Sequence, residues 1–222
     1  MKRMFYSFVI GWAVGVALFI VSSIFSHAAS ASSSVDLRAY TAGVGDYGRG
    51  TIQGTGFAIA TPKGFYVLTN AHVCHISPKK RYRIVFDRGI VTEGHQYALD
   101  TNKDLCLIEV PGLTFGLKLA DGFVDGEAAY TAGHPHGGPY AERQGVYGEI
   151  VSFLIDLWDD LTIVAVRREF HGKVVGGQSG SPVVNTAGEV IGVICCSDER
   201  DDMGSFVMFY DVQDFITRGA WL

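Results

Sequence analysis

The sequence predicts an all-β protein, and three observations support this fold class. Short apolar segments rich in Val, Ile, Tyr and Phe recur at intervals of roughly 10–15 residues between turn signals, as in β-sandwiches and β-barrels. Glycine is abundant at 28 residues and proline is scarce at 6, a balance that favours turns between short strands. Helical periodicity is weak until the last residues of the chain.

About eleven segments are predicted to form strands. Each is rich in apolar or β-branched residues, and the segments recur between turn signals. The turn-rich stretch 116–127 is predicted to join two halves of the molecule. The predicted strands, in chain order, are 35–44, 54–60, 64–71, 82–87, 105–110, 128–133, 145–153, 161–170, 181–185, 189–196 and 205–212.

A short helix is predicted at the C-terminus. In the segment "DVQDFITRG", the apolar residues Val212, Phe215 and Ile216 follow the i, i+3, i+4 spacing of one helical face.

The composition bounds the class of function. Apolar residues make up 48% and charged residues 18% of the chain, which is typical of a globular domain. The formal net charge is −5, and basic residues do not form a run outside the first few positions. We therefore expect no nucleic-acid surface.

The N-terminus has the pattern of an export signal. Lys2 and Arg3 precede 18 uncharged residues at 8–25, and small residues follow, which is the order of a secretory signal peptide. The A-x-A pattern at 29–31 predicts cleavage after Ala31. The alternative is an uncleaved membrane anchor at 8–25, because an apolar stretch of this length can just span a bilayer. We expect a secreted or periplasmic protein, membrane-associated only if residues 1–31 are retained.

Export would place the four cysteines, Cys74, Cys106, Cys195 and Cys196, in an oxidising compartment. Four cysteines allow three full pairings, and one disulfide competes with simple packing of small apolar side chains. The chain has no C-x-x-C pair, so a metal site is not expected.

Three segments carry residues that could act together in catalysis. His72 follows an apolar strand, Asp104 precedes another, and Ser179 lies among Gly176, Gly177 and Gly180. A serine hydroxyl needs a base and an orienting carboxylate to become a nucleophile. Glycines on either side would let backbone amides point at the developing oxyanion.

These segments resemble a known family. "LTNAHV", "KDLCLI" and "GGQSGSPVV", in the order His, Asp, Ser, resemble the chymotrypsin-fold serine peptidases, closest to the bacterial glutamyl-endopeptidase-like and HtrA-like branches. "GTGFAI", "TAGHPHG" before "GEIVSF", and "GEVIGVICC" extend the resemblance over about residues 35–217.

The resemblance implies the fold and the roles of the residues. It implies two six-stranded antiparallel β-barrels, with the site in the cleft between them. His72 matches the general base, Asp104 the orienting carboxylate and Ser179 the nucleophile, and the amides of Gly177 and Ser179 match the oxyanion hole. We expect a signal or anchor at 1–31 and a peptidase domain at 32–222, with barrels at about 35–120 and 121–222.

The expected function is that of an exported serine endopeptidase that works through an acyl-enzyme. We expect a polypeptide substrate, no cofactor and a monomer. A catalytically silent protease-like binding module is the alternative from another class, and a membrane-tethered form of the same enzyme is a third possibility. No segment follows Leu222, so we expect the PDZ modules of HtrA-like proteins to be absent.

The sequence departs from glutamyl endopeptidases at the specificity pocket. In that branch, a histidine on the strand after the serine binds the substrate carboxylate, and a threonine lies ahead of the serine. The matching positions in this sequence are Ile194 and Val174. Cleavage after apolar residues is therefore predicted, with Lys173 at the pocket base pointing to solvent because burying its charge is costly. The expected pocket residues are Lys173, Val174, Val175, Ile194, Cys195 and Cys196.

Other residues compete for the catalytic roles. Asp100 and Asp87 compete with Asp104, but Asp100 precedes the turn "TNK" and is predicted to be a turn residue. Ser181 immediately precedes a proline and lacks the preceding glycine pair.

Three further histidines have two readings each. His134 and His136 are predicted to lie in a loop rather than bind a metal, because no acid or cysteine is close by in sequence. His171 borders the pocket or is simply exposed.

Overall fold

The computed structural model describes residues 35–86, 89–122, 124, 126–158, 161–198 and 203–218. The predicted signal or anchor segment at 1–31 and the candidate Asp87 lie outside the described residues, as does the apolar stretch 8–25. No helix within the described ranges has the length and hydrophobicity needed to cross a membrane.

The first half of the chain forms a closed antiparallel barrel of six strands. Its strands are β1 Thr41–Asp46, β2 Gly54–Thr61, β3 Gly64–Thr69, β4 Arg81–Phe86, β5 Val91–Asp100 and β6 Leu105–Glu109. They follow the order β1-β2-β3-β6-β5-β4, and the barrel closes where β1 pairs with β4.

The second half forms another closed antiparallel six-stranded barrel. The strands are β7 Ala128–Gly133, β8 Ala141–Trp158, β9 Leu161–His171, β10 Pro182–Val184, β11 Val190–Asp198 and β12 Met203–Met208. They follow the order β10-β11-β12-β9-β8-β7, and the prediction of two six-stranded antiparallel barrels is therefore confirmed.

Helices are short in the described part of the chain. A one-turn helix, α1 (Ala71–Cys74), follows β3, and α2 (Phe209–Arg218) ends the fold. Two 3-10 turns lie at Leu37–Ala39 and Pro135–Gly137. The apolar face predicted for the terminal helix is buried, which confirms that prediction.

Apolar side chains form one cluster inside each barrel and a third cluster that spans both. The spanning cluster contains Leu68 and Leu105 from the first barrel, Val193 and Val207 from the second, and the buried face of α2. Burial of such side chains contributes about 1.5–3 kcal/mol each. The barrels therefore pack on a shared core, which fixes the loops where they meet.

Several predicted strands differ from those observed. The segment 35–44 contains the 3-10 turn Leu37–Ala39 and is a strand only from Thr41, and the segment 64–71 is a strand only to Thr69. β5 was not predicted, because it lacks an apolar run: Glu93 and His95 face outward, and its inward positions include the small residues Gly94 and Ala98. It is a strand because it pairs with β4 and β6 and closes the barrel. The segment 205–212 is a strand only to Met208, after which the chain turns into α2.

Candidate active site

His72 and Asp104 are in direct contact at the edge of the first barrel. The imidazole Nδ1 lies 3.0 Å from Asp104 Oδ1 and 2.9 Å from Oδ2. The backbone N–H of His72 also donates to Oδ1, at 3.0 Å. The carboxylate is fully buried, whereas a quarter of the His72 side chain is exposed. A proton on Nδ1 directed at the carboxylate leaves Nε2 as the accepting nitrogen.

The turn before β6 presents Asp104 in an uncommon backbone conformation. Its φ is +57°, in the left-handed region that Asp and Asn tolerate better than most residues. The buried Asn70 side chain donates to the Asp104 carbonyl at 3.0 Å. Asp100 caps the same turn by accepting from the Lys103 N–H at 3.0 Å, as expected of a turn residue.

A disulfide lies directly behind this pair. Cys74, two residues after His72, is bonded to Cys106, two residues after Asp104. Cys195 and Cys196 are free thiols. The disulfide therefore ties α1 to β6 and holds together the two segments that carry the imidazole and the carboxylate.

The carboxylate also controls the protonation of His72. Burial lowers the pKa of the imidazole, but the hydrogen bond and negative charge of Asp104 raise it, and the net pKa lies above the ordinary value of 6.5. Asp104 thus stabilises the imidazolium, the form that a general base adopts once it has accepted a proton.

Ser179 lies in a turn that only glycine can complete. Gly177 and Gly180 have φ values of +86° and +88°, a region open mainly to glycine. Space excludes side chains as well: a Cβ at Gly180 would lie 1.9 Å from the Thr55 carbonyl oxygen, and one at Gly177 would lie 2.6 Å from the His134 carbonyl oxygen.

The amides of this turn fall into two groups. Those of Gln178, Gly180 and Ser181 donate to backbone carbonyls. Within the described residues, the N–H groups of Gly177 and Ser179 donate to no acceptor. Two available amides beside a serine hydroxyl are the arrangement that receives an oxyanion.

Ser179 is half-buried, and its hydroxyl donates to the carbonyl of Cys195 at 3.1 Å. Ser181, the other serine of this turn, has an exposed fraction of 0%. Of the two hydroxyls, only that of Ser179 can meet a substrate without rearrangement of the core.

The turn of Ser179 and the helix of His72 meet at the start of β2. A Cβ at Gly54 would lie 2.7 Å from Val73 Cγ1 and 3.4 Å from the Ser179 carbonyl oxygen. The N–H of Thr55 donates to that same carbonyl at 2.8 Å. The fold therefore brings the turn of Ser179 close to the helix that carries His72, which is itself paired with Asp104, at the junction of the barrels.

Thr55 supports the site, although its role was not predicted from the sequence. Its hydroxyl donates to the Gly177 carbonyl at 2.8 Å and accepts from the His134 N–H at 3.0 Å. It thus connects the first barrel to two loops of the second. The available signal was a threonine between two glycines in a strand that is otherwise apolar.

Arg167 was also missed. It lies on β9 with an exposed fraction of 2%, and its Nη2 donates to the Lys103 carbonyl at 3.1 Å, next to Asp104. Its positive charge lowers the pKa values of His72 and Cys195. An arginine in an apolar predicted strand, "LTIVAVRREF", was the available signal, because buried charge is costly unless it is paired.

The predicted pocket residues lie in different surroundings. Val174 and Ile194 are buried in the cluster inside the second barrel, so only their backbone groups can reach a substrate. Lys173 is exposed, Val175 and Cys196 are half-buried, and Cys195 is buried. Their part in substrate binding stays a prediction.

The three other histidines considered in the sequence, His134, His136 and His171, contact neighbouring groups of the protein. The His136 N–H donates to the Gly176 carbonyl at 2.7 Å, and His134 Nδ1 lies 3.0 Å from the Gly138 carbonyl. His171 is exposed beside Glu169, at 2.9 Å. Among the described residues, no cluster of three His, Cys, Asp or Glu side chains could hold a metal ion.

Paired barrels with a His–Asp pair and a glycine-flanked serine at their junction define the chymotrypsin-like class of serine hydrolases. Residues 54–193 match the trypsin-like peptidase domain, and the chain belongs to this family. It is 30% identical over 149 residues to HhoB of Synechocystis sp., which is named as a candidate serine protease. The match covers 64% of this chain and 34% of HhoB, so the chain spans about a third of that relative.

Solved structures show the same fold. The active form of the Rv3671c protease from M. tuberculosis has a TM-score of 0.68 at 21% identity, and the match covers 84% of this chain and 83% of that one. The MamO protease domain from Magnetospirillum magneticum has a TM-score of 0.63 at 18% identity, with coverage of 78% and 92%.

Proposed function

We propose that the protein is an exported serine endopeptidase with His72, Asp104 and Ser179 as its catalytic triad. One observation carries the proposal. A half-buried serine stands in a turn whose Gly177 and Ser179 amides have no acceptor among the described residues, and Thr55 links this turn to the barrel that carries the His72–Asp104 pair. Membership of the trypsin-like peptidase family supports the same activity.

In the first half of the reaction, Ser179 Oγ attacks the carbonyl carbon of the scissile peptide bond. His72 Nε2 accepts the hydroxyl proton, and Asp104 holds the Nδ1–H and stabilises the imidazolium. The amides of Gly177 and Ser179 donate to the oxyanion of the tetrahedral intermediate. The C–N bond then breaks, the leaving amine takes the proton from His72, and an ester remains on Ser179.

In the second half, water attacks this ester. His72 removes a proton from the water, and the two amides again donate hydrogen bonds to the oxyanion. The C–O bond to Ser179 then breaks. The proton returns to Ser179 Oγ, which restores the enzyme. The chemistry needs no cofactor.

The hydroxyl must change direction before this sequence begins. In the structure it donates to the Cys195 carbonyl. Rotation about χ1 between staggered positions would redirect it toward His72, and catalytic hydrogen bonds often tighten only when substrate binds.

We also propose export through residues 1–31, a monomeric state and cleavage after apolar residues. The exposure of Lys173 supports the last point, because a solvated lysine offers no buried partner for an acidic substrate side chain.

The test is labelling with a fluorophosphonate, followed by mass mapping of the labelled residue. We expect label on Ser179, loss of label and of peptidase activity in Ser179→Ala, and retention of both in the matched variant Ser181→Ala. A folded wild-type protein that takes no label would instead support the silent binding module.

A further inference from the structure

Two consecutive cysteines on β11 have their sulfur atoms in contact. Successive side chains of a regular strand face opposite ways, so neighbouring cysteines should be separated. Here the pairing with β12 shifts: Ile194 faces Phe206 and Cys196 faces Ser205, which leaves Cys195 as the extra residue of a β-bulge. A bulge re-aims side chains locally. As a result, Cys195 Sγ and Cys196 Sγ are 2.9 Å apart.

The surroundings favour reaction between these two sulfurs. The Cys196 thiol donates to Cys195 Sγ, and the Ser205 hydroxyl lies 3.4 Å from Cys195 Sγ. Burial raises the pKa of the Cys195 thiol, but the hydrogen bond from Cys196 and the charge of Arg167 oppose this and lower it to about 7. A thiolate is the reactive form of cysteine.

We propose that Cys195 and Cys196 are a peroxide-sensitive dithiol, and that its closure to a vicinal disulfide switches off the site of Ser179. The disulfide depends only on the geometry of the two thiols, whereas the loss of activity rests on the proposed peptidase function. A disulfide S–S bond is about 2.05 Å long, so the sulfurs must approach by only about 1 Å.

The oxidation balances with one hydrogen peroxide. The Cys195 thiolate attacks a peroxide oxygen, the O–O bond breaks, and hydroxide leaves to give a sulfenic acid on Cys195. The Cys196 sulfur then loses its proton and attacks Cys195 Sγ, the S–O bond breaks with loss of a second hydroxide, and the S–S bond forms. The two thiol protons combine with the two hydroxides, so the thiols lose two electrons and peroxide becomes two waters. Hydrogen peroxide is small, which suits a buried sulfur beside a half-buried one.

The peptide between the two cysteines couples this reaction to the site. The carbonyl of this peptide belongs to Cys195 and accepts a hydrogen bond from the Ser179 hydroxyl. A vicinal disulfide closes a ring of eight atoms that includes this peptide, so the carbonyl must reorient. The negative charge of a Cys195 thiolate also raises the pKa of His72. Ring closure therefore changes the surroundings of both Ser179 and His72.

The first measurement maps the disulfide without using activity. The full chain is treated with hydrogen peroxide, alkylated and digested. We expect the peptide that contains both cysteines to lose two hydrogens and two alkylation sites, and dithiothreitol to restore both. Cys74 and Cys106 are already paired and provide an internal reference. Absence of the 195–196 disulfide under conditions that oxidise a model dithiol would overturn the proposal.

The second measurement follows fluorophosphonate labelling of Ser179 before and after oxidation. We expect the wild-type rate to fall by about 10-fold or more, as for a displaced catalytic group, and to recover with dithiothreitol. Cys195→Ser and Cys196→Ser, each compared with itself before treatment, should not show this reversible fall. A disulfide that forms without changing the labelling rate would refute the switch.

Failure of the proposed function has a separate signature. It would appear as absence of labelling in the reduced wild-type protein. The mapping experiment would then still decide whether the dithiol forms the disulfide.

Discussion

Replacing Asp104 with asparagine should nearly abolish catalysis while leaving the fold in place. Asparagine has almost the same shape, and it tolerates the left-handed backbone conformation at this position, where φ is +57°. The Asn70 side chain binds the backbone carbonyl of residue 104 rather than its side chain, so that contact is retained. The substitution therefore acts on His72 and not on the turn.

The size of the effect follows from the hydrogen bonds of the carboxylate. Its two oxygens accept from His72 Nδ1 and from the His72 N–H. An amide has only one oxygen, and if that oxygen keeps the backbone N–H, its NH₂ group faces Nδ1. The proton then moves to Nε2, which can no longer accept from Ser179. A wrong tautomer of this kind costs about 10⁴-fold in kcat, which is about 5 kcal/mol of transition-state stabilisation.

The substitution should also move the pH dependence in a defined direction. Activity requires neutral His72, so the rate falls as the pH drops through its pKa, which Asp104 holds above 6.5. Without the carboxylate, burial remains and lowers this pKa. The acid limb of kcat/KM should therefore move to lower pH in Asp104→Asn.

The assay is the pH profile of kcat/KM on one peptide substrate, with thermal unfolding as a check on the fold. Asp100→Asn is the matched control, because it removes a carboxylate from the same turn without touching His72. A loss at Asp100 equal to that at Asp104, or an acid limb that moves to higher pH, would refute the assignment of the orienting carboxylate.

Three further predictions concern the support of the site. Thr55→Val should lower kcat by about 10–100-fold because the Gly177 loop loses its anchor, whereas Thr55→Ser should retain most of the rate; equal losses would show that only packing matters. Replacing Cys74 and Cys106 together with alanine should cost about 3–4 kcal/mol in urea unfolding, as expected for closing a loop of 32 residues; an unchanged midpoint would argue against this disulfide. Lys173→Met should leave cleavage preference in a peptide library unchanged, since the side chain is exposed; loss of a preference for acidic residues would show that Lys173 enters the pocket.

The strand pattern was predictable wherever a strand buries an apolar run. β2, β3 and β6 show such runs, because their side chains fill the barrel core. β5 does not, because it holds its place through backbone pairing with β4 and β6 while Glu93 and His95 face solvent. Backbone hydrogen bonds leave no mark on side-chain composition, so this strand could not be read from hydrophobicity.

Sequence motifs single out candidates for the reaction centre, whereas the residues that contact them could not be predicted. His72, Asp104 and Ser179 stand in short motifs with a fixed order, so a resemblance alone singles them out. Thr55 and Arg167 act through contacts with residues far away in sequence, at Gly177 and Lys103. Such contacts depend on how the two barrels pack, and local sequence does not encode that packing.

The site is assembled from unlike parts supplied by the two barrels. The first barrel supplies the imidazole and its carboxylate, joined to each other through the Cys74–Cys106 disulfide. The second supplies the hydroxyl and the two unengaged amides. Each barrel closes on its own hydrogen-bond ladder, so a change inside one barrel mainly alters stability. The contacts of Thr55 with the loops of the second barrel are different, because they fix the position of Ser179 relative to His72. Substitutions there should therefore change the rate more than the free energy of unfolding, since catalysis depends on sub-ångström placement and stability depends on the buried core.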